Sequence, residues 1–173
     1  AGGEFNVAVG NYSLDALTSG DNNVAVGYNA GGSLTEGVDN VAVGFGALDA
    51  LSTSSYNTAV GKNAAGQTTG EGNTAVGREA LSTNSSGANN IAIGKGALQS
   101  NTTASYNVAL GGNASFQNTT GTRNLTIGYA AYDEADTESD NLAIGYAALG
   151  GSVAGGEFNV AIGNYTLDAL TSG

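Results

Sequence analysis

The chain holds 173 residues with a formal charge of −11, including 29 Gly but no Cys, Met, Trp, His or Pro. Its four basic residues (Lys62, Arg78, Lys95 and Arg123) argue against a nucleic-acid partner, and no apolar run approaches the ~20 residues of a membrane span. Without Cys there are no disulfides or thiolate metal sites, and without His most nucleophile–base pairs disappear.

The first predicted element is a short strand in Asn6-Val7-Ala8-Val9-Gly10. The same pattern returns after Asn23, Asn40, Asn57, Asn73, Asn90, Asn107, Asn124, Asn141 and Asn159, spaced 17 residues seven times, 16 once and 18 once. Asn opens and Gly closes all ten copies. Ala fills the middle of nine, with Thr126 the exception. The third residue after Asn is always aliphatic, from Val9 to Ile162, and the first is mostly so, with Thr58 and Thr74 the exceptions. Branched residues at alternate positions, ended by Gly, read as a strand. Val7 and Val9 share one face; Asn6, Ala8 and Gly10 share the other.

A second segment follows each strand. Ala stands seven residues after Asn in eight copies, from Ala30 to Ala148, and Leu often comes next, as at Leu14, Leu48, Leu81 and Leu98. This reads as a weaker strand or a bend. Polar stretches such as Ser82–Asn89 then turn the chain back.

The predicted fold is all-β: one parallel β-solenoid, or β-roll, over residues 1–173, with ten coils of about 17 residues beginning at those Asn. Like residues stack about 4.8 Å apart along the axis. The Asn column becomes a structural ladder, because an amide can donate to one neighbour and accept from the next. The Gly column permits positive φ or close packing. The core per coil is thin, formed by the aliphatic pair with Ala and Leu. It therefore calls for burial against other copies, and the small Ala face suits close approach.

A longer period is also present. Residues 1–20 and 154–173 differ only at Val9/Ile162 and Ser13/Thr166, an offset of 153 residues. The expectation is a window of a longer tandem array built on a 153-residue unit, with end-to-end stacking as the alternative.

The runs "NVAVG", "NTAVG" and "NIAIG" resemble the head repeat of YadA-like trimeric autotransporter adhesins. "KGALQSNTTASYN" and "FQNTTGTRN" resemble repeats of phage tail fibres. The resemblance spans the whole chain. It implies a left-handed β-roll, a homotrimer, and a place outside the cell, on a cell surface or a virion. The coil is longer than expected for the adhesin head, and Val, Thr, Ile or Leu replaces the family's Ser after Asn.

Three features carry the candidate chemistry. Asp133, Glu134, Asp136, Glu138 and Asp140 crowd one loop and are candidates for Ca²⁺ or, as an alternative, for glycan cleavage in the manner of a phage tailspike depolymerase. Lys62, Arg78 and Lys95 each lie five residues after a motif Asn in consecutive coils. They predict a basic ladder on one edge, for surface contact with an anionic glycan or lipopolysaccharide or, as the alternative, simply to keep an exposed edge soluble. Phe5, Tyr56, Tyr106 and Phe158 precede the motif Asn, while Tyr28, Phe45, Tyr129 and Tyr146 follow its Gly. These aromatics suit packing at coil corners or stacking on sugars. Seven Asn-x-Ser/Thr sequons (Asn11, Asn84, Asn101, Asn113, Asn118, Asn124 and Asn164) are candidate glycosylation sites. An ice-binding face needs a Thr ladder, and only Thr58 and Thr74 align.

The expected function is a structural and adhesive segment of an extracellular fibre or filament. It needs no catalytic residue and no cofactor. Its partners are other copies of the chain and a cell-surface glycan or matrix ligand. Rigid extension and many weak contacts supply the mechanism.

Overall fold

The computed structural model describes residues 3–151 and 155–169. Ten strands form one parallel sheet in sequence order: β1 (Val7–Val9), β2 (Val24–Val26), β3 (Val41–Val43), β4 (Thr58–Val60), β5 (Thr74–Val76), β6 (Ile91–Ile93), β7 (Val108–Leu110), β8 (Leu125–Ile127), β9 (Leu142–Ile144) and β10 (Val160–Ile162). Each strand pairs with its neighbour without slip, as in Val24↔Val41 and Ala25↔Ala42. The chain is a β-solenoid of about nine turns, roughly 17 residues each. The 16-residue coil is absorbed outside the sheet, since Thr58 still pairs with Thr74.

The second segment forms a bend. Among the described residues it contains neither strand nor helix. Successive bends are nevertheless tied together by backbone bonds, such as Leu14 N–H to Ala30 O at 3.1 Å and Leu48 N–H to Ala64 O at 3.1 Å.

Left-handed residues make the turning possible. Three register positions take φ near +60° in every coil: the residue before the motif Asn, the sixth after it and the eighth after it. The first column runs Phe5, Asn22, Asp39, Tyr56 and so on. The third includes Leu14, Leu48, Leu81 and Leu98. A β-branched residue there would be strained, and none is found at these positions. The strand-closing Gly sits further out, at φ between +128° and +142°.

The interior reverses one expectation. In β6, Ala92 is fully buried, while Ile91 and Ile93 are 39% and 41% exposed. The same order holds from β2 to β10: the middle residue points in and the aliphatic pair points out. The reason is room. The interior already holds the Ala30–Ala148 column, the Leu14–Leu149 column and a further column of Leu34 and Leu51. Only a methyl group fits opposite them. Thr126, the exception in the strand column, faces Ser115, at the position where six other coils carry Leu, and the two hydroxyls bond at 2.9 Å.

Candidate functional site

The Asn ladder is a backbone clamp. Asn23 N–H donates to Asn6 Oδ1 at 2.8 Å, Asn40 N–H to Asn23 Oδ1 at 3.0 Å and Asn57 N–H to Asn40 Oδ1 at 2.9 Å. The series continues through Asn73, Asn90, Asn107, Asn124, Asn141 and Asn159. Most side-chain amides donate to a carbonyl late in the same coil, as Asn90 Nδ2 does to Ala104 O at 2.8 Å. Direct amide-to-amide bonds join only some neighbours, including Asn40 to Asn23 at 3.1 Å. The left-handed turn geometry belongs to the residue before each of these Asn.

A second interior Asn column accompanies the first. Asn84, Asn101 and Asn118 lie at the position of Leu34 and Leu51 and are fully buried. Asn101 Nδ2 bonds Asn84 Oδ1 at 3.0 Å, but Asn101 Oδ1 and Asn118 Oδ1 have no partner. Their 17-residue spacing was visible in the sequence; their burial was not. It also changes the reading of the sequons. Asn84, Asn101, Asn118 and Asn124 lie in the interior, out of reach of modification, whereas Asn11 and Asn164 are exposed.

Lys62, Arg78 and Lys95 occupy one exposed column, joined by the bonds Glu79 N–H to Lys62 O and Gly96 N–H to Arg78 O, both 3.0 Å. That column also holds the aromatics that follow the Gly. Tyr28 and Phe45 stack at 5.2 Å, and Lys62 Nζ lies 5.7 Å from the Phe45 ring centre. Tyr129 and Tyr146 stack at 5.5 Å, and Tyr165 adds a tilted ring. Arg78 pairs with Glu79 at 3.5 Å. This edge is therefore partly self-satisfied, with rings covering rings, Lys62 over Phe45 and Arg78 beside Glu79.

The five carboxylates at 133–140 do not converge. Glu138 is buried, and its carboxylate accepts from the backbone N–H of Thr137 at 3.1 Å, Asp136 at 3.2 Å and Gly155 at 3.0 Å. Burial pushes its pKa up, but these N–H bonds outweigh that and hold it below the usual Glu range. Asp140 is also lowered, through a forked pair with Arg123 at 2.6 and 2.7 Å. Asp136 accepts from the Thr119 hydroxyl. Asp133 is raised by burial. Among the described residues, no group of three or more His, Cys, Asp or Glu side chains is placed to hold a metal ion. Beside this loop, Tyr132 fills a Leu position. Its hydroxyl accepts from Asn141 Nδ2 at 2.8 Å and donates to Glu138 O at 3.2 Å.

A shallow open groove elsewhere is lined by Gly46, Asp49, Asn63, Gly66, Gln67, Glu79 and Ser82, and contains no nucleophile with a neutral base. Among the described residues, no helix is long and apolar enough to cross a membrane.

The outer face of the sheet is a further surface that the chain does not cover. Two columns of Val, Ile, Leu and Thr run its length, partly open to solvent in a single chain. No family model, curated protein or solved structure matches the chain.

Proposed function

We propose that this chain is a structural and adhesive segment of an extracellular fibre, assembled as a left-handed, parallel homotrimer on a cell surface or virion. The observation that carries the reading is the aliphatic outer face of the sheet. Soluble chains rarely leave a continuous apolar strip uncovered. The strip is regular along the whole sheet, so a parallel copy in register can cover it at every coil, as closed symmetric assemblies require. Covering it also removes the apolar surface that the thin Ala-lined interior leaves outside. The Ala columns draw coils together within a chain, and the Val and Ile columns join chain to chain.

Such a fibre works by extension and repetition, and needs neither cofactor nor catalytic group. The glycan-depolymerase alternative draws no support from Glu138, Asp140 and Asp136, which are engaged by backbone N–H groups, Arg123 and Thr119.

Light scattering after size-exclusion chromatography tests the proposal. The native chain should run at three times its 16.9 kDa mass. Ile93→Arg with Val60→Arg should reduce it to a folded monomer. A monomeric native chain in plain buffer overturns the proposal.

A further inference from the structure

This inference rests on the fibre reading and assigns that fibre a ligand. The residue before each motif Asn forms an exposed column, stacked by bonds such as Asn22 N–H to Glu4 O at 3.0 Å and Asn89 N–H to Glu71 O at 3.0 Å. Phe5, Tyr56, Tyr106 and Phe158 stand in it at every third coil, separated by 51, 50 and 52 residues. The positions between them hold Asn22 and Asp39, then Gly72 and Asn89, then Arg123 and Asp140.

The aromatics are costly where they stand. Their φ values are +57°, +63°, +63° and +60°, a region where Asn, Asp and Gly sit easily and bulky residues do not. They gain no ring contact in return: among the described residues, none of the four belongs to a ring pair or a cation–ring contact, and they are 81%, 63%, 63% and 75% exposed. Strain that secures no ring or cation contact, on side chains this exposed and repeated at a fixed interval, points to a contact outside the chain.

We infer that this column is a track for a linear, neutral polysaccharide. Rings three coils apart stand about 14 Å from one another, so none covers the next and each ring face is free for the apolar face of a sugar. This separates them from the opposite edge, where Tyr28 and Phe45 cover each other. Between the first three rings lie Asn22, Asp39 and Asn89, whose amides and carboxylate can bond sugar hydroxyls in pairs. A protein interface would favour apolar residues over Asp and Asn between its aromatic anchors. The chain's −11 charge, with Asp39 in the column and Arg123 taken up by Asp140, disfavours an acidic glycan. Platforms at a fixed interval suit a polymer long enough to touch two of them, so affinity should rise steeply with chain length.

The test uses the full chain and a variant carrying Phe5→Asn, Tyr56→Asn, Tyr106→Asn and Phe158→Asn. Asn already occupies this position at Asn22 and Asn89 with φ of +58° and +57°, so the variant keeps its fold. Both proteins are applied to arrays of immobilised cellulose-type glucan, mannan and xylan, with polygalacturonate and dextran sulfate alongside. The native chain should be retained on a neutral linear polysaccharide, and the variant should bind it roughly ten-fold or more weakly. The variant's melting temperature and its mass by light scattering should not fall. No retention of the native chain on any neutral glycan, equal retention of the variant, or retention on the acidic glycans alone overturns the inference. A fall in the variant's mass also overturns it, by assigning the rings to contact between copies. The native chain's own mass reports on the fibre reading separately.

Discussion

Two glycines two residues apart separate the constraints that fix the coil spacing. Gly44 closes β3 at φ +132°, and a Cβ added there would lie 2.5 Å from Gly61 O and 2.7 Å from Gly61 C in the next coil. Gly46 has φ +62°, and its added Cβ meets only the flexible Asn63 amide, at 2.8 Å. Ala already occupies the position equivalent to Gly46 at Ala130 and Ala147. For Gly46→Ala, the left-handed cost of ~1–2 kcal/mol is partly offset by the smaller unfolded-state entropy, leaving about 1 kcal/mol. Gly44→Ala enters a region held almost only by Gly, at ~1–3 kcal/mol. It must also push the next coil back until the Cβ clears Gly61 O by at least 3.0 Å. That weakens the bonds Gly61 N–H to Val43 O and Asn63 N–H to Phe45 O, both 2.8 Å. With a net ~1 kcal/mol for each bond, the loss totals about 3–5 kcal/mol. Urea unfolding followed by circular dichroism measures both variants, with the denaturant slope checked for loss of two-state behaviour. If Gly44→Ala falls within about 1 kcal/mol of Gly46→Ala, the close approach of successive Gly residues does not set the spacing.

Two further outcomes follow from the interior. Asn118→Leu should stabilise the chain by about 1–2 kcal/mol in the same unfolding assay, because it removes an unpartnered buried acceptor and inserts the residue used at Leu34 and Leu51. Gly121 O keeps its bond from Asn107 Nδ2, so no new orphan is created. Glu138 supplies the pH dependence. Its folded pKa lies below the ordinary Glu value of 4.5, so its contribution is complete above that value and is lost as pH falls through the lower folded pKa. Asp140 acts in the same direction, whereas Asp133, raised by burial, gains on protonation. Glu138→Gln should cost ~1–3 kcal/mol at neutral pH and flatten the acid limb, read from melting temperatures across an acid titration; an unchanged acid limb would refute the role given to Glu138.

Much of the fold was legible because each coil repeats one set of physical demands. The strand boundaries, the parallel register and the Asn column could be read from Asn-x-Ala-aliphatic-Gly alone. Which face of the strand points inward could not. Alternation shows that Val24 and Ala25 differ in direction, and hydrophobicity favours placing Val inside. The outcome is decided by volume across the coil, where Leu34 and Leu48 already occupy the space. The left-handed columns were equally hidden, since Leu81 and Tyr106 give no sign of positive φ. The acidic run looked like a site because five carboxylates fall in eight residues. Glu138 turns into the backbone and Asp140 reaches Arg123 in the preceding coil, a partner 17 residues away. The three-coil spacing of Phe5, Tyr56, Tyr106 and Phe158 was present in the letters, but it gained meaning only once their exposure and strain were known.

The most direct test of the stacking is a set of distances along one column. The chain contains no Cys, so pairs introduced at Asn22 with Asn89 and at Phe5 with Phe158 can carry spin labels cleanly, in chains diluted with unlabelled protein. The pairs lie four and nine coils apart, and pulsed electron resonance should give about 19 Å and about 43 Å from the ~4.8 Å strand spacing. Distances that fail to grow in proportion to the number of coils would contradict the solenoid and the fibre built on it.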